Sequence, residues 1–446
     1  MVAIISIIDL VREANIAFLR WNLEHGRPIL DRLHLVFDKI FYFFLAIMIG
    51  LSIFYLILSI ISLFPDRKNK ERALSADNIP FVTIQIPTRN ELIALRCAEK
   101  CLEFDYPKDK YEILIGDDSN DGEVSRKLRE FADLHSMVSV IKRKENIGFK
   151  PGNLNNMLKR SNGEIIVIFD SDFTPEADFL KRIVAPMVHD KNVSAVQARW
   201  NFNNFSQNTV TVLSSTIVYV FHHIVLSFMD RFRSGSLCGS AEAVRKSDLI
   251  RLGGWRSGSL TEDVEYSLRL YKENKKIIYL AGLECYSEVP YKAKDLYKQQ
   301  MRWAYGVVAA YISHSKDLVF SKTLSIKKKL LSFCAGFGYS LPIMIMSLFL
   351  FGLLSFVTDR PGPIDIPKFV SETGRNVLLT SGLIAASFVS LYKAKKLKYS
   401  FRMILASFSI GIVTTFYVNK GIFKSVMKRP MEWYLLNKNA DYASDR

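Results

Sequence analysis

The segment from Phe41 to Phe64 contains no charged residue, and roughly 20 consecutive apolar residues are enough for a helix to cross the hydrocarbon core of a bilayer. A chain carrying such a run must place it in lipid or bury it from all sides. The run lies too far from the start, and is too long, for a cleavable signal peptide. Three more apolar stretches, Leu330 to Val357, Val377 to Tyr392 and Met403 to Val418, follow near the other end, the last two close to the lower length limit for a span. Residues Met1 to Trp21 are apolar on one side but interrupted by Asp9, Arg12 and Glu13, which suits a helix lying in the membrane interface.

These positions divide the chain into an N-terminal interfacial segment (1–40), a first span (41–64), a polar central region (77–321), a C-terminal membrane region of about three spans (322–419) and a basic tail (420–446). Arg67, Lys68, Lys70 and Arg72 precede the central region, and Lys322, Lys327, Lys328 and Lys329 follow it. The positive-inside bias then puts Asp77 to Ser321 in the cytoplasm of a cell-membrane protein, with Lys393 to Lys398 on the same side. Counting spans would leave the tail outside, although it carries Lys420, Lys424, Lys428 and Arg429; either one candidate is not a span or a further one is hidden. A net charge of +16 implies contact with something anionic, and because many of the basic residues flank spans, lipid and phosphate are favoured over nucleic acid. Five cysteines at irregular spacing, without a C-x-x-C pair, give no disulfide framework and no structural zinc site.

From Pro80 onward, β-rich runs alternate with helical stretches. Phe81 to Ile86, Tyr111 to Gly116, Val138 to Lys142, Glu164 to Phe169 and Val193 to Gln197 read as buried strands. This alternation predicts an α/β fold with a parallel sheet wrapped by helices, whose ligands gather at the carboxyl ends of the strands. The polar residues after each strand are therefore the ones to weigh. They include Thr88 and Glu91 after the first strand and Asp117 and Asp118 after the second, where acceptors can meet a base or ribose but can equally cap helices. Gly148 to Asn155 forms a glycine-containing turn with Lys150 ahead of a helix, a contact suited to a diphosphate.

The uncharged strand Ile165 to Phe169 runs straight into Asp170-Ser171-Asp172. Two carboxylates at the end of a buried strand are costly unless a cation or ordered donors neutralise them, and hard divalent ions favour oxygen ligands together with phosphate. Further on stand Thr261-Glu262-Asp263 and then Gln299-Gln300-Met301-Arg302-Trp303. On a helix, Gln299, Arg302 and Trp303 share one face, joining an amide, a fixed cation and a flat ring. Arginine suits a departing diphosphate and indole suits a sugar ring; the competing reading is an interfacial helix anchored by its Trp. His222 and His223 lie in a long helical stretch and are given no chemical role.

Taken in order, Asp117-Asp118, Asp170-x-Asp172, Thr261-Glu262-Asp263 and Gln299-x-x-Arg302-Trp303 closely resemble the signature of the processive membrane branch of glycosyltransferase family 2, which includes cellulose, chitin and hyaluronan synthases. The likeness extends to Lys150 through Asn155, Cys238-Gly239-Ser240 and Gly253-Gly254-Trp255, and covers about Pro80 to Tyr311. It implies a cytoplasmic GT-A (Rossmann-like) domain inserted between transmembrane helices, using a UDP-sugar as donor. On this resemblance Thr88, Glu91 and Asp118 hold the uridine end, with Asp117 also substrate-binding, and Lys150 and Arg302 hold the diphosphate. Asp170 and Asp172 hold the sugar diphosphate with Mg²⁺ or Mn²⁺, Asp263 is the general base with Glu262 beside it, Gln299 is substrate-binding, and Trp303 is the floor under the acceptor sugar near Cys238 and Gly239. Direct displacement would give a β-linked polysaccharide, exported through the membrane. Two features depart from the pattern: the Phe-x-Val-Thr-x-Lys gating loop of bacterial cellulose synthases is missing, and Leu436 and Asn437 replace a frequent Thr-Pro in the tail. Transfer of one sugar to a lipid acceptor, and a catalytically inactive scaffold of the same fold, are the alternative readings.

Overall fold

The computed structural model describes residues 2–66, 74, 78–322, 324–360 and 365–431. The basic flank Arg67 to Arg72, Asp77, and the tail from Glu432 onward lie outside these. The chain forms two units, one of Met1–Tyr55 with Ser340–Leu383, the other of Leu56–Tyr339 with Ile384–Arg446.

From the first unit the backbone is helical over Val2–Trp21, through a π-helical turn at Asn22–Gly26, and on through Arg27–Leu63, of which the residues from Leu56 belong to the second unit. The sequence places a boundary near Phe41; the structure carries helix across it. The charged residues before Phe41 tolerate this because they find partners around the end of helix Ser340–Thr358. Arg27 donates to the carbonyls of Thr358 (3.3 Å) and Asp359 (3.2 Å), and Asp31 pairs with Arg27 (2.9 Å) and Arg360 (2.7 Å). Farther along, Phe44 stacks on Phe351 with ring centroids 5.8 Å apart. Phe43, Ile53, Phe349 and Phe356 point outward, as they would toward lipid.

The expected span Leu330 to Val357 is not one helix. It breaks at Gly338 and Tyr339 into Ile326–Phe337, which belongs to the second unit and stacks Phe333 on Tyr311, and the more apolar Ser340–Thr358. Val377 to Tyr392 is likewise interrupted at Thr380 and Ser381, and Met403 to Val418 is bent by 56° at Ser409. Among the described residues, three helices are by length and composition able to cross a membrane, Arg12–Leu63, Thr209–Asp230 and Ser340–Thr358, or up to five if each of the two bent pairs counts as one span. The second was not among the spans expected from sequence, and 83% of its apolar window is buried by the rest of the protein. Its apolarity is thus accounted for by packing.

The second unit is built on a seven-stranded sheet of β1 (Val82–Thr88), β2 (Tyr111–Asp117), β3 (Val138–Lys142), β4 (Ile165–Ile168), β5 (Val193–Phe202), β6 (Glu242–Arg245) and β7 (Lys276–Ser287). The order is β3-β2-β1-β4-β6-β5-β7. Strands β1 to β4 are mutually parallel, as their uninterrupted apolar runs predict for strands covered on both faces. The sheet is nevertheless mixed, since β6 runs antiparallel to both β4 and β5. Strands β6 and β7 escape the sequence reading: β6 is four residues long with charged ends, and β7 carries no clean alternation. In register, Thr88 lies beside Asp117 and Asp117 beside Lys142, so the ends of β1, β2 and β3 stand level. The segment after β4 completes that edge.

Two helices bring the remaining motifs to it. Glu262–Lys272 starts with the acidic pair, and Ala293–Phe320 carries Arg302 and Trp303. They meet where Gly306 leaves no side chain: a Cβ there would stand 2.6 Å from Thr261 Cγ2 and 2.8 Å from its Oγ1. Helix Ile410–Val426 runs along Ala293–Phe320 as well, with Tyr417 stacked on Tyr297 at 5.1 Å. Replacing Gly306 by Leu should wedge the two motif helices apart, with a loss of stability of about 1–3 kcal/mol typical of overpacking. A lowered midpoint of thermal unfolding for the detergent-purified protein checks this; an unchanged midpoint contradicts the close approach.

Candidate active site

At the center of the strand edge stands Lys150. Its ammonium lies 2.7 Å from Asp170 Oδ1 and 3.3 Å from Glu262 Oε1, and it donates to the Gly239 carbonyl at 2.6 Å. Burial alone would lower its pKa, yet the carboxylates of Asp170 and Glu262 outweigh that and hold the amine charged, well above its ordinary range. Four stretches far apart in sequence thus meet on one cation.

Gly239 has φ +89°, a left-handed conformation natural only to glycine, and a Cβ there would lie 3.5 Å from both Asp263 Oδ2 and Lys150 Nζ. The following Ser240 accepts the backbone N–H of Asp170 on its hydroxyl at 2.8 Å. The Cys238-Gly239-Ser240 turn is therefore the joint between the two acidic motifs. Asp263 is buried, with its carboxyl pushed up to about 7 by desolvation first and the Glu262 charge second, while Lys150 opposes the shift. Burial also lowers the pKa of Arg302, against the pull of Glu262, Asp170 and Asp263, which places its guanidinium among the same carboxylates. Arg302 also reaches the Leu260 carbonyl at 3.5 Å. Trp303 is half-buried against the main core, Gln299 is half-buried one turn earlier, and Cys238 is half-buried with its thiol pKa raised by burial.

The other predicted residues occupy the β1 and β2 end of the edge. Asp117 is wholly buried: Oδ1 takes the Ser119 N–H (2.8 Å) and Oδ2 takes the Ser125 hydroxyl (2.5 Å), with Lys142 at 3.5 Å. Burial would raise its pKa, but these donors win and hold it low. Its carboxylate is thus committed to the loop itself. Asp118 is clamped two-pronged by Arg143, through Nε (2.7 Å) and Nη2 (2.5 Å). Thr88 donates to the Glu91 carbonyl (3.1 Å), and Glu91 accepts the Ser171 hydroxyl, tying the loop after β1 to the one after β4.

Asp170 and Asp172 do not face one another as a closed cage. The Asp170 side chain is 33% exposed, whereas Asp172 is 3% exposed and its Oδ2 takes the Glu288 N–H at 3.1 Å. Among the described residues no three His, Cys, Asp or Glu side chains form a ready metal site. One open and one buried carboxylate nonetheless suit a hard divalent ion that completes its shell with phosphate and water oxygens.

Sequence reasoning missed Arg143, which also donates to the carbonyls of Ile147 (2.7 Å) and Phe149 (3.2 Å) and so shapes the turn before Lys150. It also missed Glu242, a buried carboxyl pushed up to about 8 by desolvation and by Asp263 beside it. Neither has a local signal: Arg143 sits in a charged run that reads as solvated surface, and Glu242 is a lone acid in a short strand.

A sheet of this order, with acidic loops at its parallel ends and a lysine among them, defines a GT-A nucleotide-sugar fold. The description glycosyltransferase like family 2 matches residues 80–306, more than half of the chain, and the chain belongs to that family. Glucomannan 4-beta-mannosyltransferase 2 of Arabidopsis thaliana is 29% identical over 59% of this chain and 52% of its own length. Probable glucomannan 4-beta-mannosyltransferase 1 of the same plant is 32% identical over 57% and 47%. The chain thus spans about half the length of these curated relatives. Among solved structures, a mannosyltransferase of Pyrobaculum calidifontis in complex with GDP-Man and Mn²⁺ superimposes with a TM-score of 0.59, covering 80% of this chain and 99% of that one at 19% identity. That likeness establishes the fold.

Proposed function

We propose that this protein is an inverting glycosyltransferase that moves a hexose, mannose in the first instance, from a nucleoside diphosphate to a growing β-linked polysaccharide. The observation that carries this reading is the convergence of Lys150, Asp170, Glu262, Asp263 and Arg302 on one edge of the sheet. The mannosyltransferase relatives support the sugar, and the GDP-Man held by the structural neighbour reopens the nucleotide, for which the family resemblance had implied UDP.

In the proposed reaction Lys150 and Arg302 face the diphosphate and neutralise charge as the sugar–phosphate bond breaks. Asp170 and Asp172 would hold a divalent ion, Mg²⁺ or Mn²⁺, which when bound offsets the negative charge of the leaving diphosphate. Asp263 takes the proton of the acceptor hydroxyl while that oxygen attacks the anomeric carbon from the face opposite the diphosphate. Attack from that face inverts the configuration. Burial of Asp263 serves this role, since an ordinary aspartate would be a weaker base near neutral pH. Trp303 offers its ring to the acceptor sugar.

The membrane arrangement follows from the same frame. If Arg27–Leu63, Ser340–Thr358 and the broken stretch 366–393 cross, with Leu397–Val426 lying along the catalytic unit, the domain and Lys420 to Arg429 would fall on one side, which their basic residues favour as the cytoplasmic one. Such an arrangement would reconcile Lys420, Lys424, Lys428 and Arg429 with the positive-inside bias.

Three outcomes are expected. Purified protein should release nucleotide from GDP-mannose faster than from UDP-glucose or UDP-GlcNAc and build a product that migrates as a ladder; no release from any donor would sink the reading, and a single glycolipid spot would replace the polymer with a lipid acceptor. Because the base must be ionised, turnover should rise with pH up to about 7 and level off above it, losing about tenfold for each unit below. Asp263→Asn should remove that dependence along with about 10²- to 10⁴-fold of the rate. Chelation should stop turnover and added Mn²⁺ restore it, while Asp170→Asn and Asp172→Asn abolish it with thermal unfolding unchanged; full activity in both variants refutes the metal role.

A further inference from the structure

Strand β6 sits between β4 and β5, and its first residue, Glu242, is paired in register with Ile168 on one side and Gln197 on the other. Its side chain is 1% exposed. From there Oε2 accepts the backbone N–H groups of Gly239 (2.8 Å) and Cys238 (3.2 Å). Its neighbour Gln197 accepts the Cys238 N–H as well (2.8 Å) and donates to the Ser240 carbonyl (2.9 Å). The turn from Cys238 to Ala241 twice enters the left-handed region, at Gly239 and at Ala241, and needs such outside support because its own N–H groups face inward.

We infer that Glu242 is a positioning residue: it fixes the Cys238–Gly239 turn from behind, and so carries the Gly239 carbonyl to Lys150 and sets where that ammonium stands. The role depends on the reach of a hydrogen-bond acceptor and not on its charge. The raised pKa of Glu242 agrees, since a neutral carboxyl still accepts both N–H groups. Its consequence for turnover rests on the proposed glycosyl transfer, but its effect on Lys150 is measurable without any reaction.

Two substitutions separate reach from ionisation. Glu242→Gln keeps the acceptor at the same distance and removes the ionisable group, whereas Glu242→Asp keeps a carboxyl and withdraws the acceptor by about 1.5 Å. The full chain in detergent is treated with an amine-reactive ester, and labelling of Lys150 is followed by mass spectrometry. Lys246, whose amine donates to the Ser161 carbonyl elsewhere in the unit, reports any general unfolding. The Asp variant should label at Lys150 about fivefold faster, the factor that one lost hydrogen bond supplies, with Lys246 unchanged; the Gln variant should match wild type. Equal protection in all three proteins, or a Gln variant that is deprotected at Lys150, overturns the assignment. Wild-type protein that releases no nucleotide would overturn the proposed function and leave this comparison standing.

Discussion

A single ammonium out of bulk water makes this site possible. Asp170, Glu262, Asp263 and Glu242 crowd a space in which one ionised carboxylate would already be expensive, and Lys150 and Arg302 are the cations that let them share it. The compensation is incomplete by construction. Asp170 and Glu262 hold Lys150 charged, while burial first and the Glu262 charge second give Asp263 a raised affinity for its proton, which Lys150 only partly opposes.

The sheet order explains how these groups are brought together. If β4 were followed by another parallel strand, only loops would line the edge beyond Asp170. Insertion of the antiparallel β6 instead delivers the turn before it, Cys238 to Ala241, to the point where β4 ends. Ser240 can then take the Asp170 N–H and Gly239 can face Lys150. The reversal of direction in one four-residue strand thus aligns a turn with a strand terminus.

Much of this was legible in the sequence. The strand cores from Val82 to Ile168 announce themselves because burial on both faces demands unbroken apolar runs, and the acidic motifs stand out because carboxylates directly after such runs need a reason. What stayed hidden depends on contacts across the fold. Glu242 and Arg143 look like ordinary surface charge until β6 and the Asp118 loop close over them. Thr209–Asp230 and the broken helices after Lys322 show the converse: apolar composition cannot distinguish a helix covered by protein from one covered by lipid, nor reveal a break at Ser409.

The contact at Gly306 has a mechanical meaning. Because Gly306 has no side chain, the helix bearing Arg302 approaches the start of the one beginning at Glu262 closely enough to leave no room for a Cβ. Any larger residue at that point would have to push Thr261 away, so the spacing between the two motif helices is set by the absence of one carbon atom.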